Sequence, residues 1–523
     1  MLKYLLLSFI CGCIAVFSYA PFHIWPLAFI SFAGLLWLIA NKTKKQAMLL
    51  GLTWGIGYFI SGVHWVYISI KQYGELPTPI AMVILGFLIL YLSLYPMLFA
   101  FLLRIADRLV PQFSFKQLAL AAPILWQCTE FLRGYILTGF AWLQLGYSQL
   151  DSPLRAYFPL VGIDGVNLLT CFLSGLAIYI LYAIKQHHPK KHVLGAIIAL
   201  LTILIAPISF KDKNWTYVDH RRIANFSLIQ GNIPQTLRWS SEQLNNTLET
   251  YYQLTQQNFG KDKIIIWSEA SITDFETNQQ PFLYYLDNQA RANDSEIAVG
   301  IIDYRFNEPD NRNKGNIYNS LIVLGEKEPY QYPTIHRYQK HHLVPFGEFT
   351  PFESLLEPIT ELLNIPMSSM KAGDEKQPQL TMKGFKFTTA ICYEVILSDL
   401  IWQNFKPDTD FLLTVSNDAW FGDSIGPKQH LQMAQARALE FGRPLIRSTN
   451  NGITAIINQQ GRIIKQIPAF TTGVLTDSLS PTTGLTPYAK WGSKPYLLFI
   501  ILMSIPIFIK KRLVIYDSGI NIA

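Results

Sequence analysis

Ile264-Ile265-Ile266-Trp267-Ser268-Glu269-Ala270 sets a short apolar run directly against a carboxylate. A run of this length, bounded by polar residues, suits a buried strand. Six further runs have the same character: Phe226–Ile229, Ile297–Ile302, Ser320–Leu324, Phe387–Ile391, Phe411–Val415 and Gly452–Ile457. Mixed stretches such as Ser241–Gln257 and Lys428–Phe441 suit helices. Together they predict an α/β or α+β sandwich within 211–488. That segment is long enough for its own core, and no Gly/Ser linker or internal repeat divides it.

Three sites at or after these runs carry reactive groups. Glu269 ends the first run. Partial burial there would raise its pKa and make it a general-base candidate, against the plainer reading of a strand-end carboxylate in water. Lys340-His341-His342-Leu343-Val344-Pro345-Phe346-Gly347-Glu348 offers Lys340 as a fixed cation for a developing oxyanion, with Glu348 to hold it. The plainer reading is a charged turn. Adjacent histidines in a strand point to opposite faces and no ligand-spaced acid or cysteine joins them, so no metal is expected. Cys392, in Thr388-Thr389-Ala390-Ile391-Cys392-Tyr393-Glu394, follows a strand and is the one cysteine of five outside the long apolar segments. It is a buried inert thiol or a nucleophile. Base, cation and thiol together fit acyl chemistry, and no cofactor is needed. Gly422-Asp423-Ser424-Ile425-Gly426 matches a nucleophile elbow, but the required order of serine, acid, histidine is absent: only His430 follows, with no acid between.

The remainder of the chain reads differently. Of 523 residues 50% are hydrophobic and only 15% charged, which excludes a disordered chain and disfavours an ordinary soluble enzyme. Eight segments are long and apolar enough for membrane helices: 4–20, 25–41, 47–70, 79–103, 117–138, 161–184, 193–209 and 491–509. The first also resembles a cleavable leader, but Pro21 directly after Ser18-Tyr19-Ala20 is a poor cleavage context, and retention is expected. Lys3, Lys42, Lys44, Lys45, Arg104, Arg108, Lys116, Lys185, Lys190, Lys191, Lys510, Lys511 and Arg512 all fall on one side of such a topology, and the short loops on the other side hold little beyond Lys71 and Arg155. The positive-inside rule then puts 211–488 outside the cytoplasm. The expected division is a seven-helix membrane domain at 1–210, an extracytoplasmic domain at 211–488, and a last helix with its tail at 489–523. The net charge of +7 is spent on this topology and not on a nucleic-acid patch. Glu130 and Arg133, three apart in a membrane segment, read as an ion pair or as a lipid-headgroup contact.

With these residues in hand, the sequence closely resembles the apolipoprotein N-acyltransferase family along essentially its whole length. The soluble part is similar to the nitrilase (carbon–nitrogen hydrolase) superfamily. The matching stretches are Gln230-Gly231-Asn232-Ile233-Pro234-Gln235 with Trp239, Trp267–Ala270, Lys340–Glu348, Cys392–Glu394 and Asn417-Asp418-Ala419-Trp420-Phe421-Gly422. In the membrane part they are Glu130 to Gly134 and Thr138–Gln144. Ser268 departs from the proline the family often has there.

The resemblance implies an α-β-β-α sandwich facing the periplasm of an inner membrane. It implies Glu269 as base, Lys340 as oxyanion stabiliser and Cys392 as nucleophile, with Glu348 beside the lysine and Trp239, Tyr393 and Glu394 needed for activity. It also implies transfer of an acyl chain, through a cysteine thioester, from a phospholipid such as phosphatidylethanolamine. The acceptor is the α-amino group of a diacylglyceryl-cysteine on an apolipoprotein, and the enzyme is expected to be a monomer. Trp420 and Phe421 are then a candidate aromatic gate on Gly422, or ordinary core. The rival readings are a tethered amidase using water with the same triad, and a transporter, for which paired mid-membrane polar sites are few.

Overall fold

The computed structural model describes residues 1–74, 76–210, 213–235, 241–306, 315–351 and 370–508. Its first part is helical: α1 (Leu2–Val16), α2 (Pro26–Ile39), α3 (Lys44–Gly62), α4 (Val66–Tyr73), α5 (Thr78–Ala106), α6 (Ala122–Tyr135), α7 (Phe158–Lys185) and α8 (Lys190–Phe210). Apolar side chains dominate every face of most of them, the mark of helices whose surroundings are apolar all round. Among the described residues three, α5, α8 and α7 with the turn before it, are long and apolar enough by themselves to cross a membrane. A fourth span would be α3 with α4, which are bent by 62° to each other. The apolar helices α1 and α2, and one near the C-terminus, are shorter. The expected span at 117–138 is a π turn, Lys116–Ala121, running into α6.

The second part pairs two sheets, beside a short antiparallel pairing of β1 (Thr216–Val218) with β15 (Thr482–Gly484). The larger has seven strands: β2 (Ala224–Gln230), β3 (Lys263–Ile266), β4 (Ile272–Phe275), β5 (Ser295–Phe306), β6 (Gly315–Leu324), β7 (Arg337–Gln339) and β14 (Gly473–Leu479). Its path is β14-β2-β3-β5-β6-β7, with β4 on β5. The other has the order β13-β12-β11-β10-β9-β8, from β8 (Leu380–Met382), β9 (Phe385–Ile391), β10 (Phe411–Ser416), β11 (Leu445–Thr449), β12 (Thr454–Ile457) and β13 (Ile463–Ile467). Five of the seven apolar runs lie within these strands, and the other two overlap them, Gly452–Ile457 starting two residues before β12 and the first run passing the end of β3 at Trp267.

Alternation along the strands builds the layers. Phe226, Leu228, Ile264 and Ile266 point inward and meet Phe387, Ile391, Phe411, Leu413 and Val415 of the opposite sheet. Ile229, Ile265 and Trp267 point outward onto the helices α9 (Ser241–Gln256) and α10 (Gln280–Ala292). The outer face of the second sheet, with Ala390 and Leu412, meets α12 (Gly426–Phe441), which follows α11 (Ser398–Asn404). The result is the expected α-β-β-α sandwich.

The sandwich is not merely tethered to the helical part. One continuous apolar cluster runs from Trp54 and Trp126 through Trp142, Tyr147 and Phe158 to Met433, Phe441 and Tyr488. Within α7, Gly162 takes φ 66, a left-handed value that breaks the helix. The amide of Ile163, just past the break, donates to Glu440 Oε1 of α12 at 2.6 Å. A carboxylate of the sandwich thus caps half of an apolar helix. Any side chain at 162 would place its Cβ 2.3 Å from the Tyr488 ring. Gly162→Ala should therefore destabilise the protein by about 2–4 kcal/mol, a melting-temperature loss of roughly 5 °C or more in detergent. An unchanged melting temperature would refute this account of the break.

Candidate active site

Three loops at one end of the sandwich bring the sequence-picked residues together. Glu269 follows β3, Lys340 follows β7, and Cys392 follows β9. Lys340 is 1% exposed. Its Nζ donates to Glu348 Oε1 (2.8 Å) and Glu269 Oε1 (3.3 Å). Asn319 Nδ2 of β6 donates to the same two oxygens, at 3.2 Å and 2.8 Å. Glu269 Oε2 accepts from the Asn417 amide (2.8 Å), and Glu348 Oε2 from the Val344 amide (2.9 Å). Each carboxylate is thus held at both oxygens. Burial opposes the charge of Lys340, but Glu348 and Glu269 outweigh it and hold the ammonium well above its ordinary range.

Cys392 sits on a strained elbow. Its φ of 56 is left-handed, uncommon for a residue with a side chain. A short 3₁₀ turn, Cys392–Ile396, follows at once. The thiol is buried. Burial and then the charge of Glu269 push its pKa up, against the pull of Lys340 and a hydrogen bond with Ser416. The thiol is protonated at neutral pH and needs a base at the moment of attack.

Glu394 is fully buried and joins two of the loops. Its Oε1 accepts from the His341 and His342 amides (2.7 and 3.0 Å), and its Oε2 from the Ile391 amide (2.7 Å) and the Tyr338 hydroxyl (3.0 Å). It clamps the elbow of Cys392 to the loop of Lys340. The neighbouring Tyr393 ring stacks between His342 (5.6 Å) and Trp142 (6.3 Å), and its hydroxyl accepts from the Ala141 amide (3.1 Å). The two histidines diverge: His341 Nδ1 contacts the Gly373 carbonyl, while burial and then Lys340 push the His342 imidazole down to about 4. Beside this loop a cleft of about 660 Å³ runs past Ile317, His342, Leu343, Phe349 and Met370 to Thr138, which follows α6. That size is typical of small-molecule sites.

Other sequence candidates lie elsewhere. Trp239 is outside the described residues. Phe421 is buried against Trp65 (4.6 Å) and Trp142 (5.6 Å), and the Trp420 carbonyl accepts from Ser69 Oγ (2.6 Å). Both therefore fasten the sandwich to the helical part. Arg133 is the ion-pair partner of Glu130 (2.5 Å) and donates to the carbonyls of Phe140 and Trp142. At 1% exposure its guanidinium faces no headgroup. Ser424 Oγ accepts from the Gly426 amide at the start of α12, a structural bond.

The sequence reading missed Asn319, His430 and Arg447. His430 and Arg447 surround Asp418, where burial is outweighed by Arg447 and His430, so that the carboxylate stays far below its usual range. Arg447 directly after Pro444-Leu445-Ile446 was the available signal, since an arginine continuing a buried strand needs an acid. Asn319 carries no such mark.

Two family models match the chain: "Apolipoprotein N-acyltransferase N-terminal domain" over residues 11–176 and "Carbon-nitrogen hydrolase" over 226–488. A relative from Photobacterium profundum, named apolipoprotein N-acyltransferase, is 42% identical over 513 residues, 97% of this chain and 95% of the relative. The chain belongs to the apolipoprotein N-acyltransferase family. Relatives of the same name from Vibrio cholerae (43%, 94% of each chain) and Haemophilus influenzae (40%, 97% of this chain and 96% of the relative) are similar along the same length. The helical part is therefore as much a family feature as the sandwich.

Two outcomes follow from the site. Glu394→Gln turns one acceptor oxygen into a donor facing N–H groups. It should cost about 3 kcal/mol of stability and lower activity with it; a variant with wild-type melting temperature and turnover would dismiss the clamp. A raised thiol pKa means that the reactive fraction keeps growing with pH. Alkylation of Cys392 by iodoacetamide should rise close to tenfold per pH unit from 7 to 9. A plateau below pH 8 would show a thiolate already formed.

Proposed function

We propose that the protein transfers an acyl chain from a membrane phospholipid to the α-amino group of a diacylglyceryl-cysteine at the start of an apolipoprotein, with Cys392 as the covalent carrier. The observation that carries this reading is the buried Glu269–Lys340–Glu348 group beside a protonated thiol on a strained elbow. Glu269 takes the proton as Cys392 Sγ attacks the ester carbonyl. The carbonyl electron pair moves to oxygen, where Lys340 Nζ meets it; one such donor is worth about 10²–10³ in rate. Collapse expels the glycerol oxygen, which takes the proton from Glu269, leaving a thioester and a lysophospholipid. The acceptor amine attacks the thioester, gives its proton to Glu269, and the amide product departs as the thiol is restored. Glu348 and Asn319 keep Lys340 charged and aimed.

Both substrates are lipids, so the site belongs at a membrane surface. We place eight spans at the apolar segments, with short helices and the bent α3–α4 pair completing those that α5, α7 and α8 begin. We place the division near 210 and 489, with 211–488 on the periplasmic side, because the basic residues flank the opposite ends of the helices. Phosphatidylethanolamine is the donor we expect, and the cleft that reaches Thr138 is the route for its chain. A hydrolysing amidase would need one anchor and no apolar seam between sandwich and helices; the seam favours transfer.

Intact mass after incubation with phosphatidylethanolamine tests this. Wild type should gain one acyl chain and Cys392→Ala none, and a diacylated lipopeptide should then discharge the adduct as triacylated product. Release of free fatty acid alone would point to hydrolysis, and activity surviving in Cys392→Ala would end the reading.

A further inference from the structure

His430, on α12, lies beneath the elbow with no exposed surface. Its Nε2 is 3.2 Å from the backbone carbonyl oxygen of Cys392. A carbonyl only accepts, so Nε2 carries the proton and donates. On the other side of the ring, Nδ1 lies 3.1 Å from both Asp418 Oδ1 and Arg447 Nη2. Arg447 Nη2 also donates to Asp418 Oδ2 (2.6 Å), and Ser416 Oγ to Asp418 Oδ1 (2.6 Å). Trp142 and Phe421 close over the ring. This buried group is larger than an elbow needs simply to be filled; it meets the candidate nucleophile through Ser416 at the thiol and through His430 at that carbonyl.

The Cys392–Tyr393 peptide is planar and trans, so its C=O and N–H point in opposite directions. Fixing the carbonyl on His430 turns the Tyr393 N–H away from the buried Asp418 group. We propose that His430 is a positioning residue: by holding the Cys392 carbonyl it aims the Tyr393 N–H, as a second donor beside Lys340 Nζ, at the oxyanion formed when Cys392 attacks an acyl carbonyl. This rests on the acyl-transfer reading. It gives Asp418 and Arg447 their place, since they fix the ring that fixes the carbonyl.

The test separates an oxyanion effect from a displaced thiol. Full-length wild type, His430→Phe and His430→Gln are compared in three reactions. The nitrophenolate burst with p-nitrophenyl butyrate and acylation by phosphatidylethanolamine both pass through an oxyanion. Alkylation by iodoacetamide, a displacement at a saturated carbon, does not. His430→Phe should slow the burst about 100-fold while alkylation changes less than about threefold. His430→Gln, whose side-chain N–H reaches toward the same carbonyl, should recover about tenfold of the burst. Should His430→Phe not fold, His430→Asn, too short for the contact, takes its place with the same expectation. Equal losses in burst and alkylation, or an unslowed burst, would overturn the proposal. A wild-type burst without a phospholipid adduct would instead sink the donor assignment, and the burst ratio would still decide the role of His430.

Discussion

One buried ammonium governs the architecture of the site. Lys340 lies between Glu269 and Glu348 with almost no water contact. A charge in that position is tolerated only if it is paired and its partners are themselves satisfied. The surroundings meet that demand bond by bond, through Asn319 from β6, the Asn417 amide after β10 and the Val344 amide of the lysine's own loop. These groups come from both sheets. The chemistry therefore requires the two sheets to keep their register, and the sandwich serves that requirement more than it serves enclosure.

A second constraint acts on the elbow. The left-handed conformation of Cys392 persists because its surroundings hold it from two sides. Glu394 binds the Ile391 amide before it, and His430 binds the Cys392 carbonyl. Both anchors are buried, and each reaches a different partner: Glu394 the loop of Lys340, His430 the Asp418–Arg447 pair. The position of the thiol relative to the lysine is thus fixed by polar bonds with defined directions, where apolar packing alone would leave it freer.

The sequence was informative where its signals were local. Short apolar runs marked the inner strands of both sheets, and the strand-end residues Glu269 and Cys392 fell where such runs stop. Edge strands escaped notice for a physical reason: β13 is largely exposed, so no burial pattern writes itself into Ile463–Ile467. Membrane segments were legible as apolar blocks, but their breaks were not. The turn between α3 and α4 and the break at Gly162 depend on what the sandwich presses against them. Asn319 and His430 have roles set by residues far away in the chain, which no reading of neighbours reveals, and the neighbours of Arg447 show only that it needs an acid, not which one. Of the two readings the sequence left open for Arg133, the ion pair with Glu130 is the one present, while its grip on the carbonyls of Phe140 and Trp142 depends on a turn that brings them back to it.

That grip bears on how the two parts work as one. Arg133 holds the stretch that carries Ala141 and Trp142. Ala141 meets the Tyr393 hydroxyl, and Trp142 Nε1 donates to Gln429, next to His430. A chain of direct contacts thus runs from a charged pair in the helical part to the residues flanking Cys392. Glu440 makes the reciprocal contact, capping the broken α7 from the sandwich side. Each part completes polar bonds that the other leaves open, and an open bond in an apolar setting costs about 1–3 kcal/mol or more. The helical part is thereby a piece of the scaffold of the site, and a shift of the elbow would disturb the apolar helices bonded to it.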